Sequence, residues 1–273
     1  MLGDRVKRAK GVAVKNPLRA IRRVLGAAGL PVLGAALVVT FWWLAVVLFD
    51  IEAFILPSPA DIVEAFIAQP GDLLREIKPT LVETLEGFAL ATVVGLAIAL
   101  AVTTSSRLYR MFYPLIVAVN AIPKLALAPL TMAWFGLGQT SRVALVFMVC
   151  FFPVVVSSVA GFTSTPAELT DLARSLSASR SQTFRKVRLP SALPQIFVGL
   201  KVAVGLAVIG AVISEFTGVP EGLGYAVNSY SGQGRTPEAF AALILLSVLS
   251  VSLYYVLAGL ERLVLPWARQ TSG

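Results

Sequence analysis

Residues Thr165 to Pro194 read TPAELTDLARSLSASRSQTFRKVRLPSALP. This charged stretch has the periodicity of a helix and lies between long hydrophobic segments. Charged side chains are costly within a bilayer, so a segment of this kind in a membrane protein faces water. We therefore predict an organised, water-facing loop in a membrane protein, and its regular pattern favours a role in binding a partner.

The composition of the whole chain indicates the same class. Of its 273 residues, 57% are hydrophobic and 14% are charged, whereas soluble proteins carry about 25% charged residues. The net charge of +8 comes from basic residues that flank hydrophobic segments, so nucleic-acid binding is not predicted. The chain has no histidine and one cysteine, Cys150. It therefore lacks the commonest transition-metal ligand, and no metal site is predicted.

Six hydrophobic segments are long enough to cross a bilayer, which takes about 20 residues. The predicted fold is all-α and integral to the membrane, with six transmembrane helices in a multi-pass protein of the cell (plasma or inner) membrane. The predicted spans are Leu30–Phe49, Leu81–Thr103, Phe112–Phe135, Arg142–Phe162, Ile196–Phe216 and Pro237–Leu260.

The positions of lysine and arginine predict the orientation. With the N-terminus inside, 17 of the 23 basic residues lie in cytoplasmic segments and four lie outside. Cytoplasmic loops carry such an excess, which predicts an N-in/C-in topology. The chain then divides into a basic cytoplasmic tail (1–29), a transmembrane domain (30–265) with a cytoplasmic loop (164–195), and a cytoplasmic C-terminal tail (266–273).

The first half of the cytoplasmic loop carries a helix-start signal. Thr165 is expected to cap the helix, Pro166 suits its first position, and Glu168 completes a capping box. The helical spacing that follows predicts an amphipathic helix of about three turns. Its apolar face is made by Leu169, Leu172, Ala173 and Leu176.

The second half of the loop predicts another short helix after a break near 177–179. Phe184 and Val187 give it an apolar side, basic residues line its polar side, and Pro190 is expected to end it. Two short amphipathic helices ringed by positive charge suit insertion into a groove on another protein. They equally suit a position on an anionic lipid surface.

Lys124 is the charge most deeply placed in a predicted span. A lysine at mid-bilayer costs about 2.5–3.5 kcal/mol on insertion scales, so it should face the bundle interior or a water-filled path. With Asn120 and Pro123 beside it, Lys124 is a candidate for contact with an anionic substrate. An inter-helix pair or a lysine that reaches to the membrane interface would also explain it.

Acidic residues lie near the predicted outer ends of two spans. Glu215, at the end of the fifth span, is a candidate for the substrate pathway or for a partner's charge, although a helix-end carboxylate in water fits as well. Glu83 and Glu86 are expected to be solvated or to meet Arg75 or Lys78. The last predicted outside loop, Thr217–Thr236, is rich in glycine and proline, and its segment GVPEGLG (218–224) is interpreted as an outside turn or gate loop.

Two predicted spans carry small residues at every fourth position, which lets helix backbones approach closely. Such stripes serve either packing within one chain or a seam between two copies. The first stripe is Gly87, Ala91, Gly95 and Ala99, and the second is Gly199, Ala203, Ala207 and Ala211.

The cytoplasmic loop resembles the E-A-A loop of binding-protein-dependent ABC importer permeases, whose pattern is E-A-A, three residues, G, nine residues, I, one residue and L-P. Asp171-Leu172-Ala173 stand at E-A-A, Ser177 at the glycine, Val187 at the isoleucine and Leu189-Pro190 at L-P. The chain is most similar to the nitrate/sulfonate/taurine branch. Further matches are Leu56-Pro57-Ser58-Pro59, Ala121-Ile122-Pro123-Lys124, Trp134-Phe135-Gly136-Leu137-Gly138, and Glu215 before Gly222-Leu223-Gly224-Tyr225.

The resemblance implies a transport subunit rather than an enzyme. In that family the loop docks on a pair of cytoplasmic ATPases, which hold ATP and magnesium, so no cofactor is expected on this chain. A second permease copy, usually identical, and an extracytoplasmic substrate-binding protein are the other implied partners. The implied coupling residues are Glu168, Asp171, Leu172, Ala173, Ser177, Phe184, Val187, Leu189 and Pro190.

Two other classes of membrane protein are alternatives to an importer permease. An ion-coupled secondary transporter predicts acidic residues deep within spans or internal repeats, and neither is clear in this chain. A membrane-embedded enzyme is disfavoured because the spans carry no histidine and no acidic pair at metal-ligand spacing. The sequence does not identify the solute; a small anion such as a sulfonate or nitrate fits the resemblance.

Overall fold

The computed structural model describes residues 17–217 and 220–267, with side chains from residue 29 onward. Within those ranges all regular elements are helical. Five of the helices are long and apolar enough to cross a membrane, and a bent pair gives a sixth candidate. The helices are α1 (Pro17–Leu48), α2 (Pro59–Ala68), α3 (Pro70–Arg75), α4 (Ile77–Thr103), α5 (Ser106–Asn120), α6 (Ala128–Phe135), α7 (Gln139–Thr163), α8 (Ala167–Ser175), α9 (Arg180–Thr183), α10 (Leu189–Thr217), α11 (Leu223–Gly232) and α12 (Thr236–Val264).

The predicted terminal tails extend beyond the described part of the chain. Residues 1–16 and 268–273 lie outside the described residues. The N-terminal segment 1–60 and the rest of the chain form two separate compact units. The candidate functional residues all belong to the second unit, which the following paragraphs describe.

The second unit is built around α7, which packs against both α4 and α10. The two stripes of small residues face α7 and are buried. A methyl group added at Gly87 would lie 2.5 Å from the Val146 side chain, and one added at Gly199 would lie 2.3 Å from Ser157. The stripes therefore serve packing within one chain and do not form a seam between copies.

The third predicted span, Phe112–Phe135, is not a single helix. It begins earlier, at Ser106, and breaks after Asn120, so that α5 and the segment Lys124–Phe135 meet at 83°. Pro123 has an extended backbone (ψ 105°) and is followed by a short 3-10 turn at Lys124–Leu127. A proline has no N–H to continue the helical hydrogen bonds, which accounts for the break.

The predicted outside loop between the last two spans, Thr217–Thr236, contains a helix. Helix α11 begins directly after Gly222, whose φ of +103° is in the region that favours glycine. Prolines and glycines in the sequence indicated a loop, but α11 occupies ten residues of it.

Two details of the predicted cytoplasmic loop are corrected. Helix α8 begins at Ala167 without a side-chain cap, and the Thr165 hydroxyl is buried without a hydrogen-bond partner in the described part of the chain. The capping box lies instead at α9. There the Ser179 hydroxyl accepts from the Gln182 N–H at 3.2 Å, and the Ser179 N–H donates to the Gln182 side chain at 2.8 Å.

Pro190 does not end the second short helix, as the sequence predicted. The chain is helical from Arg180 to Thr217 through a π-helical turn at Phe184–Arg188. The Leu189 N–H reaches back five residues to the Phe184 carbonyl. The wider π turn relieves the clash that a proline ring makes with the preceding turn of a regular helix, so α10 continues through Pro190.

Ser177 forms the bend between α8 and α9 with a left-handed backbone, at φ +56°. The Ala178 N–H donates to the Ala173 carbonyl at 3.0 Å, and the Ser177 N–H donates to the Arg174 carbonyl at 2.9 Å. This hydrogen-bond pattern is a Schellman motif, which usually has glycine at the left-handed position. Serine there carries a backbone strain of about 1–2 kcal/mol.

We expect Ser177→Gly to stabilise the end of α8 by up to about 1 kcal/mol, because glycine relieves that strain. Hydrogen exchange of the α8 backbone amides should slow by about five-fold. The matched control is Ser175→Gly, a helical position in α8 at which glycine should instead speed exchange. Faster exchange in both variants would contradict the strain at Ser177.

Candidate functional site

The loop of α8 and α9, here called the coupling loop, is anchored to the bundle along one side. The Phe184 ring lies 6.1 Å from the Phe162 ring at the end of α7. The Arg188 guanidinium donates to the Phe162 carbonyl at 3.3 Å. Ala173 is buried, and Val187, Leu189 and Pro190 are half-buried. These inward-facing residues join the loop to the first turn of α10.

The other side of the coupling loop presents an apolar stripe to the surroundings. Leu169, Leu172 and Leu176 are exposed by 43%, 56% and 74%, respectively. Glu168 and Ser177, beside the stripe, are exposed. Asp171 forms an ion pair with Arg174, with 3.2 Å between the carboxylate oxygen and the guanidinium nitrogen. Two unburied leucines on the nine-residue helix α8 and a third directly after it form a surface suited to a protein groove.

Lys124 lies at the break between α5 and α6. Its ammonium donates to the Asn120 carbonyl at 2.9 Å and to the Asn120 side-chain oxygen at 2.8 Å. It also lies 5.4 Å from the centre of the Phe152 ring on α7. Lys124 forms no ion pair among the described residues. The positive charge is therefore held in position by neutral groups, with no carboxylate to neutralise it.

A buried ion pair that the sequence did not indicate lies at the end of the bundle opposite the coupling loop. The Arg142 guanidinium, at the start of α7, donates to Glu83 of α4 at 2.6 Å. It also donates at 2.5 Å to Glu221, a half-exposed residue before α11. The Arg142 and Glu83 side chains are 5% and 1% exposed. The expectation that Glu83 lies in water or meets Arg75 or Lys78 was therefore wrong.

Glu215 is fully buried beside this ion pair rather than solvated at a helix end. Its carboxylate accepts a 2.6 Å hydrogen bond from the Thr80 hydroxyl and another of 2.6 Å from the Gly224 N–H. The Thr80 oxygen in turn accepts from the Leu223 N–H at 2.8 Å. These bonds attach the start of α11 to both α4 and α10.

Gly222 and Gly224 are the two positions that allow this contact. A side chain on Gly222 would overlap the Glu215 carboxyl, 2.2 Å away, and one on Gly224 would come within 2.7 Å of it. The Gly222 N–H also donates to the Glu76 carboxylate. We call this group of hydrogen-bonded residues the polar cluster. Its members are Glu76, Thr80, Glu83, Arg142, Ser214, Glu215 and the segment 221–224.

One signal in the sequence pointed to part of the polar cluster. Glu215, before the Gly-Leu-Gly segment, stands out in the sequence. The sequence does not indicate its neighbours Thr80 and Glu83, because they lie more than 130 residues away in the chain. Arg142 is the first residue of the predicted span Arg142–Phe162, and its sequence neighbours do not indicate a buried partner. Pairing across three helices depends on their packing, which periodicity along one helix does not reveal.

The described residues contain no group of three or more side chains placed to hold a metal ion. Most charged side chains within the described bundle form ion pairs with a charge on another helix. Lys201 of α10, for example, pairs with Glu261 of α12 at 2.8 Å.

The described residues form a bundle of candidate membrane spans with an exposed amphipathic loop at one end and a buried polar cluster at the other. Residues 91–270 match the model of the binding-protein-dependent transport system inner membrane component family. The chain belongs to this family of ABC importer permeases, which confirms the resemblance found in the sequence. It is thus a multi-pass protein of the inner membrane.

Three curated relatives cover most of this chain. The formylaminopyrimidine transport permease of Halalkalibacterium halodurans is 35% identical, over 84% of this chain and 95% of that protein. The riboflavin transport system permease of Chloroflexus aurantiacus is 37% identical, over 88% and 90%. The taurine transport system permease of Escherichia coli is 29% identical, over 85% and 87%.

Solved ABC importers share the fold. An inward-facing structure of the MetNI methionine ABC transporter has a TM-score of 0.64 and 21% identity, covering 72% of this chain and 98% of that one. A bacterial importer of the acidic polysaccharide alginate has a TM-score of 0.60 and 18% identity, covering 89% and 98%. At these identities the likeness concerns the fold alone.

We expect Arg142→Gln to destabilise the protein by about 3–5 kcal/mol, because it leaves the buried Glu83 carboxylate without its partner. Glu221→Gln is the matched control, since it removes the half-exposed partner of the same guanidinium and should cost less than about 1 kcal/mol. Thermal unfolding of the purified protein in detergent measures both. Equal losses in the two variants would show that the buried pair is not the dominant contact of Arg142.

Proposed function

We propose that this chain imports a small anion along a path that passes Lys124. The observation that carries the proposal is the Lys124 ammonium, which lies at a helix break and has no carboxylate partner among the described residues. A charge inside a membrane bundle that is not neutralised by the protein marks a site for a mobile ion of opposite sign. Asn120 and Pro123 shape the break and expose polar backbone groups beside that charge.

The energy for import comes from a separate pair of ATPases that hold ATP and magnesium, and this chain performs no covalent chemistry. The exposed stripe Leu169, Leu172 and Leu176 supports docking of α8 in an ATPase groove, with Asp171 at its edge. The inward-facing residues Phe184 and Arg188 then transmit the movement to α7 and α10. The expected cycle is alternating access between inward-open and outward-open states.

The remaining partners follow from the same family assignment. Two copies of the chain form the permease, as a homodimer, and a substrate-binding protein delivers the solute from outside. The N-in/C-in topology predicted from basic residues puts the coupling loop in the cytoplasm and the polar cluster at the outer face. The polar cluster then closes the outer end of the bundle, next to the binding protein.

A second substrate class is favoured by two relatives. The proteins named for formylaminopyrimidine and riboflavin transport are more similar to this chain than the taurine permease is. The Phe152 ring near Lys124 would suit a planar heteroaromatic solute by stacking. Uptake by the complete transporter in proteoliposomes, with taurine, nitrate and a formylaminopyrimidine offered in parallel, distinguishes the two classes.

We expect Asp171→Lys and Leu172→Lys to lower the amount of ATPase that copurifies with the tagged chain by ten-fold or more, a loss of about 1.4 kcal/mol or greater in binding. Both changes place a positive charge on the proposed docking surface without entering the bundle core. Glu64→Lys, an exposed acidic position on α2, is the control and should leave copurification unchanged. Normal ATPase recovery with the α8 variants would contradict docking at this surface. Uptake that survives complete removal of the ATPase would favour an ion-coupled secondary transporter.

We expect Lys124→Met to lower uptake of an anion by about ten-fold or more, since a hydrogen bond to a charged group contributes about 1.5–3 kcal/mol. Lys124→Arg should retain part of the activity because it keeps the charge. Lys78→Met, an exposed lysine of α4, is the matched control. Unchanged uptake by Lys124→Met, with normal membrane insertion, would assign Lys124 a structural role.

A further inference from the structure

A polar groove of about 1020 Å³ separates the coupling loop from the corner between α4 and α5. Four arginines line it: Arg110 of α5, Arg174 of α8, Arg180 of α9 and Arg188 of the π turn. Nine residues with hydroxyl side chains also line it, and no described aspartate or glutamate does. The groove therefore concentrates positive charge around one open space.

Three of these arginines have no anionic partner within the described residues; Arg174 pairs with Asp171 on the exposed surface. Arg188 donates to the Phe162 carbonyl, which is neutral. The Arg110 and Arg180 guanidinium groups form no ion pair with any described residue. Like charges gathered around one groove repel one another, so an anion bound among them lowers the electrostatic energy of the loop.

Thr165 connects α7 to α8 and lines the groove. Its hydroxyl oxygen is shielded from solvent and has no hydrogen-bond partner in the described part of the chain. A buried hydroxyl without a partner costs free energy, so the contacts of the chain itself leave this part of the loop incompletely satisfied.

The groove lies beside the turn that joins two candidate membrane spans. Helix α4 ends at Thr103 and α5 begins at Ser106, and Tyr109 stacks on Tyr113 with ring centres 4.9 Å apart. Tyrosines are enriched at the membrane interface, and basic pockets at that level bind lipid headgroups. A basic groove at the end of candidate spans, next to stacked tyrosines, therefore suits a lipid phosphate.

The groove is distinct from the exposed stripe on α8. At 100° per residue, Ala167, Thr170 and Arg174 project from the side of α8 nearly opposite to Leu169, Leu172 and Leu176. A protein docked on the stripe therefore leaves the groove accessible from its other side. An anion in the groove would join α5 to the coupling loop and restrict the loop's movement.

We propose that this groove is a binding site for a phosphate-bearing anion, supplied either by the headgroup of an anionic phospholipid or by a soluble phosphate. Arginine is suited to this ligand, because its planar guanidinium donates two parallel hydrogen bonds to phosphate oxygens. The site goes beyond the proposed function, since it requires neither the transported solute nor the ATPase.

The test uses the full-length chain, purified and delipidated in a neutral detergent. One arm adds phosphatidylglycerol or phosphatidylcholine and counts retained lipids by native mass spectrometry. The other arm titrates inorganic phosphate against chloride at equal ionic strength and measures the shift in unfolding temperature. The test variant is Arg110→Gln with Arg180→Gln. The control is Arg107→Gln with Arg185→Gln, two exposed arginines of the same segments that do not line the groove.

We expect the protein to retain phosphatidylglycerol selectively, to be stabilised by phosphate, or both. The affinity measured in either arm should fall ten-fold or more in the test variant and less than three-fold in the control. A response to the lipid alone identifies a headgroup site, and a response to inorganic phosphate alone identifies a soluble ligand. No selective binding in either arm, or equal losses in the two double variants, would overturn the proposal. Single variants Arg110→Gln and Arg180→Gln decide the question if the double variant unfolds. Because no transport is measured, failure here is distinct from failure of the proposed function.

Discussion

The close packing of α7 between two stripes of small residues is the constraint on which the rest of the second unit depends. A Cβ atom added at Gly95 would lie 2.9 Å from the Val154 side chain. One added at Gly161, on α7 itself, would lie 2.7 Å from the Ala192 carbonyl oxygen. Without a hydrophobic driving force between helices in lipid, such close backbone approach supplies the attraction through van der Waals contact. Larger residues in the stripes would separate α4, α7 and α10 along their whole length.

This packing also creates the polar cluster. Three helices held at short distance bring Glu83, Arg142 and Glu215 together at one end, although each lies on a different helix. Burial there excludes water, so the guanidinium and hydroxyl groups must supply the hydrogen bonds that the carboxylates lose. The start of α11 is attached by the same groups, through the backbone N–H groups of Leu223 and Gly224.

The coupling loop is joined to the same helices at their other end. Helix α7 begins at the polar cluster with Arg142 and ends beside Phe162, which contacts Phe184 and Arg188. Helix α10 continues from the π turn to Glu215. Under the proposed function, a displacement of the coupling loop by an ATPase reaches the outer end through these two helices, whose buried contacts resist bending. The strained Ser177 lies at the bend that receives that displacement.

The sequence by itself determined the class of the molecule, because hydropathy, basic flanks and the E-A-A-like spacing are local properties of the chain. It also located the coupling loop and put Ser177 at the position of the family's glycine, since helix signals and motif spacing extend over short stretches of chain. Only the tertiary structure decided that Pro190 continues a helix through a π turn, that the small-residue stripes serve α7, and that Glu83 and Glu215 are buried with Arg142 and Thr80. The burial of Glu83 and Glu215 depends on helix faces that meet across more than 50 residues of chain. Helical periodicity indicates that a face is small or polar, but it does not identify the helix that this face meets.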